Sequence, residues 1–259
     1  VDASFVPRVA ERFAKAGGIE VLQRTAGDEW AVLRTLDQDG TNTARTRGAG
    51  VKGVVGVDAE GKTLFLVDNA DRDKSALLAV DLASGASRVL AEDPDADIRP
   101  ITVLDRLTGN VLGVSSYFGE IRRHHVDATL ADDFKELERL TGSSVGVVRI
   151  AAADPAWLVV PMDGRNLRFQ VYDRESRELK PLFPLQATID SNALVARSAR
   201  IVEARDGLRL PCQLYLPTGT DQNKDGTPDA PLPTLLYVHG GPHIPNPWDS
   251  WFTNRNLQL

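Results

Sequence analysis

An aspartate recurs at positions 37, 81, 127 and 173, each closing a short apolar run, at intervals of 44, 46 and 46 residues. The runs are Ala31-Val32-Leu33 leading to Asp37, Leu78-Ala79-Val80-Asp81, His125-Val126-Asp127 and Gln170-Val171-Tyr172-Asp173. Two of them are near copies. Val80-Asp81-Leu82-Ala83-Ser84-Gly85 leads to Arg88-Val89-Leu90, and Tyr172-Asp173-Arg174-Glu175-Ser176 leads to Leu179-Lys180-Pro181-Leu182. A period near this length, carrying several short strands, is the pattern of β-propeller blades, where each unit buries its faces only by stacking on its neighbours.

The turns agree with that reading. Asp39-Gly40, Glu60-Gly61, Ser84-Gly85 and Asp163-Gly164 sit between alternating runs, as hairpins with glycine at positive φ require. Helical periodicity before residue 240 is confined to Ala131–Leu140. The expected fold is mainly β, with a partial β-propeller of about four blades over residues 1–183. A β-sandwich with coincidental spacing is the alternative.

Residues 184–199 lose the repeat and read as a linker. Residues 200–259 read as the start of a second domain. Ser198 to Ala204 and Leu208 to Leu216 form a hairpin across Arg205-Asp206-Gly207, and Leu235 to Val238 is a third strand.

Composition narrows the function classes. The chain has 259 residues, 42% hydrophobic and 25% charged, with a net charge of -6 and no run of like charges. That balance argues against a nucleic-acid groove. No apolar stretch approaches the roughly 18 residues of a membrane span. The opening Val1-Asp2-Ala3-Ser4-Phe5 has neither the pattern of a signal peptide nor that of a native start. A single cysteine, Cys212, sits in the alternating run Leu210 to Tyr215 and reads as a small buried hydrophobe.

The chemistry-bearing signal is the run Thr234-Leu235-Leu236-Tyr237-Val238 opening into His239-Gly240-Gly241-Pro242. Acyl transfer develops charge on a carbonyl oxygen, and backbone N–H groups in a tight glycine turn after a strand stabilise that charge without reorganising. Gly240 and Gly241 are the candidate donors. His239 reads as a brace for the turn, and His243 as a residue on the substrate side. Gly142-Ser143-Ser144-Val145-Gly146 matches G-x-S-x-G literally, but a nucleophile elbow needs a strand before it and a helix after it. Here a helical segment precedes and a strand follows, so the match reads as a turn between blades. His124 and His125 are neighbours that face opposite sides of a strand and read as ordinary strand residues.

A second signal lies in Asp221-Gln222-Asn223-Lys224-Asp225-Gly226-Thr227-Pro228-Asp229. Oxygen ligands at alternate positions with glycine at the sixth copy the first half of an EF-hand loop. Asp221, Asn223, Asp225, the Thr227 carbonyl and Asp229 would be the calcium ligands. The twelfth position is Leu232 rather than glutamate, and the bland alternative is a polar surface loop.

Along most of its length the chain resembles the prolyl oligopeptidase family of serine peptidases, and most closely the acylaminoacyl-peptidase and dipeptidyl-aminopeptidase-like members. The specific stretches are Ile201-Val202-Glu203-Ala204-Arg205-Asp206-Gly207-Leu208, Leu214-Tyr215-Leu216-Pro217 and Tyr237 to His243. Trp248 to Leu259 resembles the segment that leads into the first helix of the hydrolase domain. The resemblance implies a propeller that caps an α/β-hydrolase domain and restricts access to short peptides, with the Gly240–Gly241 turn in the oxyanion hole.

The same resemblance implies that the catalytic serine, acid and histidine follow this turn. The chain is therefore expected to be a fragment, inactive alone, with earlier blades missing and the remainder of the hydrolase domain as its partner. Glu120 does not by itself match the paired glutamates of the dipeptidyl members. The reaction needs no cofactor, and calcium enters only through the 221–229 loop. A periplasmic or secreted location is favoured over a cytoplasmic one. The alternative function is a non-catalytic propeller module for binding.

Overall fold

The computed structural model describes residues 2, 4–15, 17–37, 52–105, 108–149, 154–163, 168–190, 193–195 and 197–238. Its strands fall into antiparallel sheets built in sequence order. The first contains β1 (Val9–Phe13), β2 (Ile19–Arg24) and β3 (Trp30–Leu36). The second contains β4 (Gly53–Val57), β5 (Thr63–Asp68), β6 (Ala76–Asp81) and β7 (Ser87–Ala91). The third contains β8 (Ile98–Leu104), β9 (Val111–Phe118) and β10 (Glu120–His125). The fourth contains β11 (Val145–Arg149), β12 (Ala156–Pro161), β13 (Arg168–Asp173) and β14 (Glu178–Pro184). β15 (Arg197–Glu203) and β16 (Arg209–Tyr215) form the expected hairpin, in register from Arg197 opposite Tyr215 to Glu203 opposite Arg209.

The recurring aspartate has a structural meaning. Each one lies at or within two residues of the end of the third strand of its sheet, and three of them cap the turn that comes next. Asp81 Oδ1 accepts from the amides of Ala83 (3.1 Å) and Ser84 (2.7 Å) and from the Ser84 hydroxyl (2.7 Å). Asp173 Oδ1 accepts from the amides of Glu175 (3.1 Å) and Ser176 (3.0 Å). Asp127 Oδ1 accepts from the amide (2.9 Å) and hydroxyl (2.7 Å) of Thr129. A short side-chain acceptor that satisfies amides two and three residues on is what an aspartate offers a turn.

The hydroxyl and amide of Ser84 hold the Asp81 carboxyl below the usual carboxylate range, and the Ser176 amide does the same for Asp173. Asp37 instead pairs with the buried Lys52. After Asp127 the chain departs from the repeat. The same cap starts a 3-10 turn, Ala128–Leu130, and then α1 (Ala131–Thr141), where the second and fourth sheets make a fourth strand.

The chain divides into two compact units. The first holds the first two sheets, β8, β9 and most of β10; the second holds the β9–β10 turn, nearly all of α1, the fourth sheet and the β15–β16 hairpin. Within the first unit the second sheet is buried on both faces. Leu64, Leu66, Leu78 and Val80 pack with Val21 and Leu36 of the first sheet. Phe65, Val67, Leu77 and Ala79 pack with Ile98, Val111 and Val114 of the third sheet. Successive side chains of a strand point to opposite faces, so the unbroken apolar runs of β5 and β6 supply both interfaces. The outer strand β7 is exposed over its first three residues, as a blade edge is. Face-to-face stacking of consecutive antiparallel sheets is the propeller arrangement read from the sequence.

In the second unit the core of the fourth sheet is Trp157, fully buried between Phe134 of α1 (ring centroids 5.5 Å apart) and Tyr172 (6.1 Å). The Arg174 guanidinium lies 4.7 Å from the centre of its ring and reaches Asp133 Oδ2 at 2.9 Å. Desolvation first, then the Asp133 carboxylate, pushes the Tyr172 hydroxyl up to about 12. Trp157 therefore joins helix to sheet. Trp157→Ala is expected to destabilise the protein by about 3–5 kcal/mol, the usual cost of removing a buried aromatic. Urea unfolding followed by circular dichroism measures it, and a cost within about 0.5 kcal/mol, the range of ordinary surface changes, would contradict this packing role.

Candidate functional site

The residues expected to serve catalysis, His239, Gly240, Gly241 and His243, lie outside the described residues, as do the Asp39-Gly40 turn and Gly164. The approach to them is described. Leu235, Leu236 and Val238 are 81, 84 and 79% exposed, and residues 231–238 carry no strand pairing. Sequence reading makes this segment a strand, and the structure gives residues 231–238 no ladder. The difference is physical, because a strand exists only through bonds to a neighbour, and no described segment lies alongside. The hairpin before it is also unusually apolar outside, with Ile201, Val202, Leu208 and Leu210 exposed.

The G-x-S-x-G match is set as a turn. α1 runs into Gly142, which adopts φ 67°, and β11 follows from Val145. The Ser143 hydroxyl donates to the Ser144 carbonyl (3.2 Å), and that carbonyl accepts from the Met162 amide (2.8 Å). Helix before and strand after is the reverse of a nucleophile elbow.

This turn forms one wall of a cavity of about 520 Å³ in the second unit. Glu120 at the start of β10, Asp163 after β12, and Arg197 and Arg200 of β15 complete its charged lining. Gly119 brings the β9–β10 turn against the hairpin. Its φ is 78°, a Cβ there would meet Ala199 Cβ at 3.3 Å, and its carbonyl accepts from Gln213 Nε2 at 2.9 Å. Asp163 is paired with Arg168 at 2.6 Å. The cavity lining thus carries both carboxylates and guanidinium groups.

Arg200 also anchors the 221–229 loop, donating to the carbonyls of Ala199 and Gly226, each at 2.9 Å. Gly226 has φ 79°, a backbone conformation that favours glycine, and a Cβ there would displace the end of the Arg200 side chain. The expected calcium ligands already serve the loop itself. Asp221 accepts from the amides of Asp225 (3.1 Å) and Gly226 (2.8 Å), Asn223 from Asp225 (3.1 Å), Asp225 from Thr227 (2.7 Å) and Asp229 from Gln222 (3.1 Å). The Thr227 amide is the main reason the Asp225 carboxyl sits below its usual range. Among the described residues no three His, Cys, Asp or Glu side chains gather as a metal site.

His124 is not the ordinary strand residue the sequence suggests. Its Nε2 lies 2.9 Å from Ser116 Oγ, beside the buried Asp93. Three separate segments contribute to this cluster, so no spacing in the sequence could have indicated it. Cys212 is a free thiol on β16, half-buried rather than buried as the sequence suggests. Among the described residues no helix is long and apolar enough to cross a membrane.

No family model matches the chain. A dipeptidyl aminopeptidase BIII from Pseudoxanthomonas mexicana is 31% identical over 264 residues, an alignment that takes in all of this chain and 37% of that protein. The chain thus spans just over a third of the curated relative it matches. Among solved structures, a prolyl endopeptidase superposes with a TM-score of 0.50 at 9% identity, over 82% of this chain and 31% of that one. A puromycin-hydrolyzing peptidase of Mycobacterium tuberculosis gives 0.49 at 10% identity, over 76% of this chain and 29% of its own. The chain thus aligns along its whole length with part of a dipeptidyl aminopeptidase and shares the fold of the corresponding part of a prolyl endopeptidase.

Proposed function

We propose that this chain is the propeller and the first strands of the hydrolase domain of a serine peptidase that cleaves short peptides. The observation that carries the reading is the exposed apolar run Leu235–Val238 leading directly into His239-Gly240-Gly241-Pro242, within a full-length alignment to a dipeptidyl aminopeptidase. In this reading the run becomes an inner strand of the hydrolase sheet once the rest of that domain lies beside it. The amides of Gly240 and Gly241 then point at the oxygen of the scissile carbonyl, where charge develops. The stacked sheets restrict entry to short chains, and the charged cavity beside Glu120 receives them. Nothing comparable supports a binding module without chemistry.

The 259 residues contain the oxyanion turn without a nucleophile elbow, so the isolated chain is expected to be inactive. Treatment with a fluorophosphonate probe followed by intact mass measurement is expected to show an unlabelled 28.2 kDa species. An adduct on this chain, mapped to Ser144, would overturn the reading.

Calcium has no part in the proposed chemistry. Because Arg200 and the loop's own amides already hold residues 221–229 in place, the melting temperature is expected to be the same in millimolar calcium and in EGTA. A calcium-dependent rise would restore the loop as a metal site.

A further inference from the structure

A cluster in the first unit has no place in the peptidase reading. Ser116 on β9 is buried, with its Oγ 2.6 Å from Asp93 Oδ2 and 2.9 Å from His124 Nε2. Asp93 follows β7, its side chain is 2% exposed, and it also accepts from Arg122 Nη1 on β10 at 3.1 Å. Arg122 Nη1 reaches Asp95 Oδ2 at 2.9 Å as well, and its guanidinium carbon lies 5.3 Å from the centre of the Phe118 ring. Asp93 Oδ1 accepts in addition from the Asp95 amide at 2.8 Å.

This is not a catalytic triad, because one nitrogen of His124 faces both the serine and the acid, at 2.9 and 3.5 Å. In a triad the acid orients the other nitrogen, and the serine is open to substrate.

Counting protons fixes the direction of the bonds. Burial raises the Asp93 carboxyl, but the Ser116 hydroxyl, the Asp95 amide and Arg122 together outweigh it and leave it below the usual carboxylate range. An ionised carboxylate only accepts, so the single proton of Ser116 goes to Asp93. The lone pairs of the Ser116 oxygen remain, so His124 Nε2 must donate to it.

We propose that His124 Nε2–H, Ser116 and Asp93 form a directed hydrogen-bond relay, clamped by Arg122, that fastens the segment after β7 to β9 and β10 and lets go in acid. The groups facing Asp93 are Ser116 from β9, Arg122 and His124 from β10, and Asp95 from its own segment. The folded-state carboxyl is more acidic than the unfolded one. Its stabilising contribution is therefore complete above the ordinary carboxylate range and is lost as pH falls through the folded-state value.

The direct test is the tautomer of His124, read from long-range nitrogen–proton correlations in histidine-labelled protein at neutral pH. The relay predicts the Nε2–H form with a slowly exchanging proton, and an Nδ1–H form would overturn it. Two variants separate the relay from simple packing. His124→Gln keeps a donor near the Nε2 position and is expected to hold the unfolding equilibrium constant near wild type, whereas His124→Leu is expected to raise it roughly tenfold. Equal effects of the two would contradict the relay. Acid titration of the unfolding midpoint in Ser116→Ala is expected to show a shallower loss than wild type, and an unchanged acid limb would count against Asp93 as the releasing group.

Discussion

Burial of the second sheet on both faces is the constraint on which the first unit depends. Leu64, Leu66, Leu78 and Val80 fill one interface, while Phe65, Val67, Leu77 and Ala79 fill the other. Neither set can be buried by a single sheet, so β5 and β6 are viable only between two neighbours. Everything else in that unit follows from this stacking. The strands run in sequence order because a hairpin is the shortest connection between antiparallel neighbours. The polar groups that must lie between sheets are paired across them, as Arg34 is with Asp68 and as Asp93 is with Ser116 and Arg122.

Most of the repeat was legible because one residue performs the same local task at three of its four positions. An aspartate at the end of the third strand caps the next turn, which explains both its spacing and the similarity of the 80–90 and 172–182 segments. Local caps leave a sequence signature, since donor and acceptor are two or three residues apart. The same logic shows where reading fails. Asp127 carries the cap but begins a 3-10 turn and α1, because a capping aspartate serves a helix as well as a hairpin.

Two features needed three-dimensional information. The Asp93–Ser116–His124 relay joins residues from three segments that stacking alone brings together, and no local pattern marks it. The Leu235–Val238 run has the composition of a buried strand, yet residues 231–238 carry no ladder. Propensity proposes a strand, but a neighbouring strand is needed to realise it. The candidate oxyanion turn was legible from His239-Gly240-Gly241-Pro242 and lies outside the described residues. Its assignment therefore rests on the motif and on the alignment with the aminopeptidase.

The central claim is that residues 235–238 are a hydrolase-sheet strand awaiting its neighbours. Amide hydrogen exchange at these residues, compared between this chain and a polypeptide continued through the rest of the hydrolase domain, tests it most directly. The account predicts exchange near the unprotected rate in this chain and strong protection in the longer protein. Equal exchange in both would contradict it, and with it the role assigned to the turn that follows.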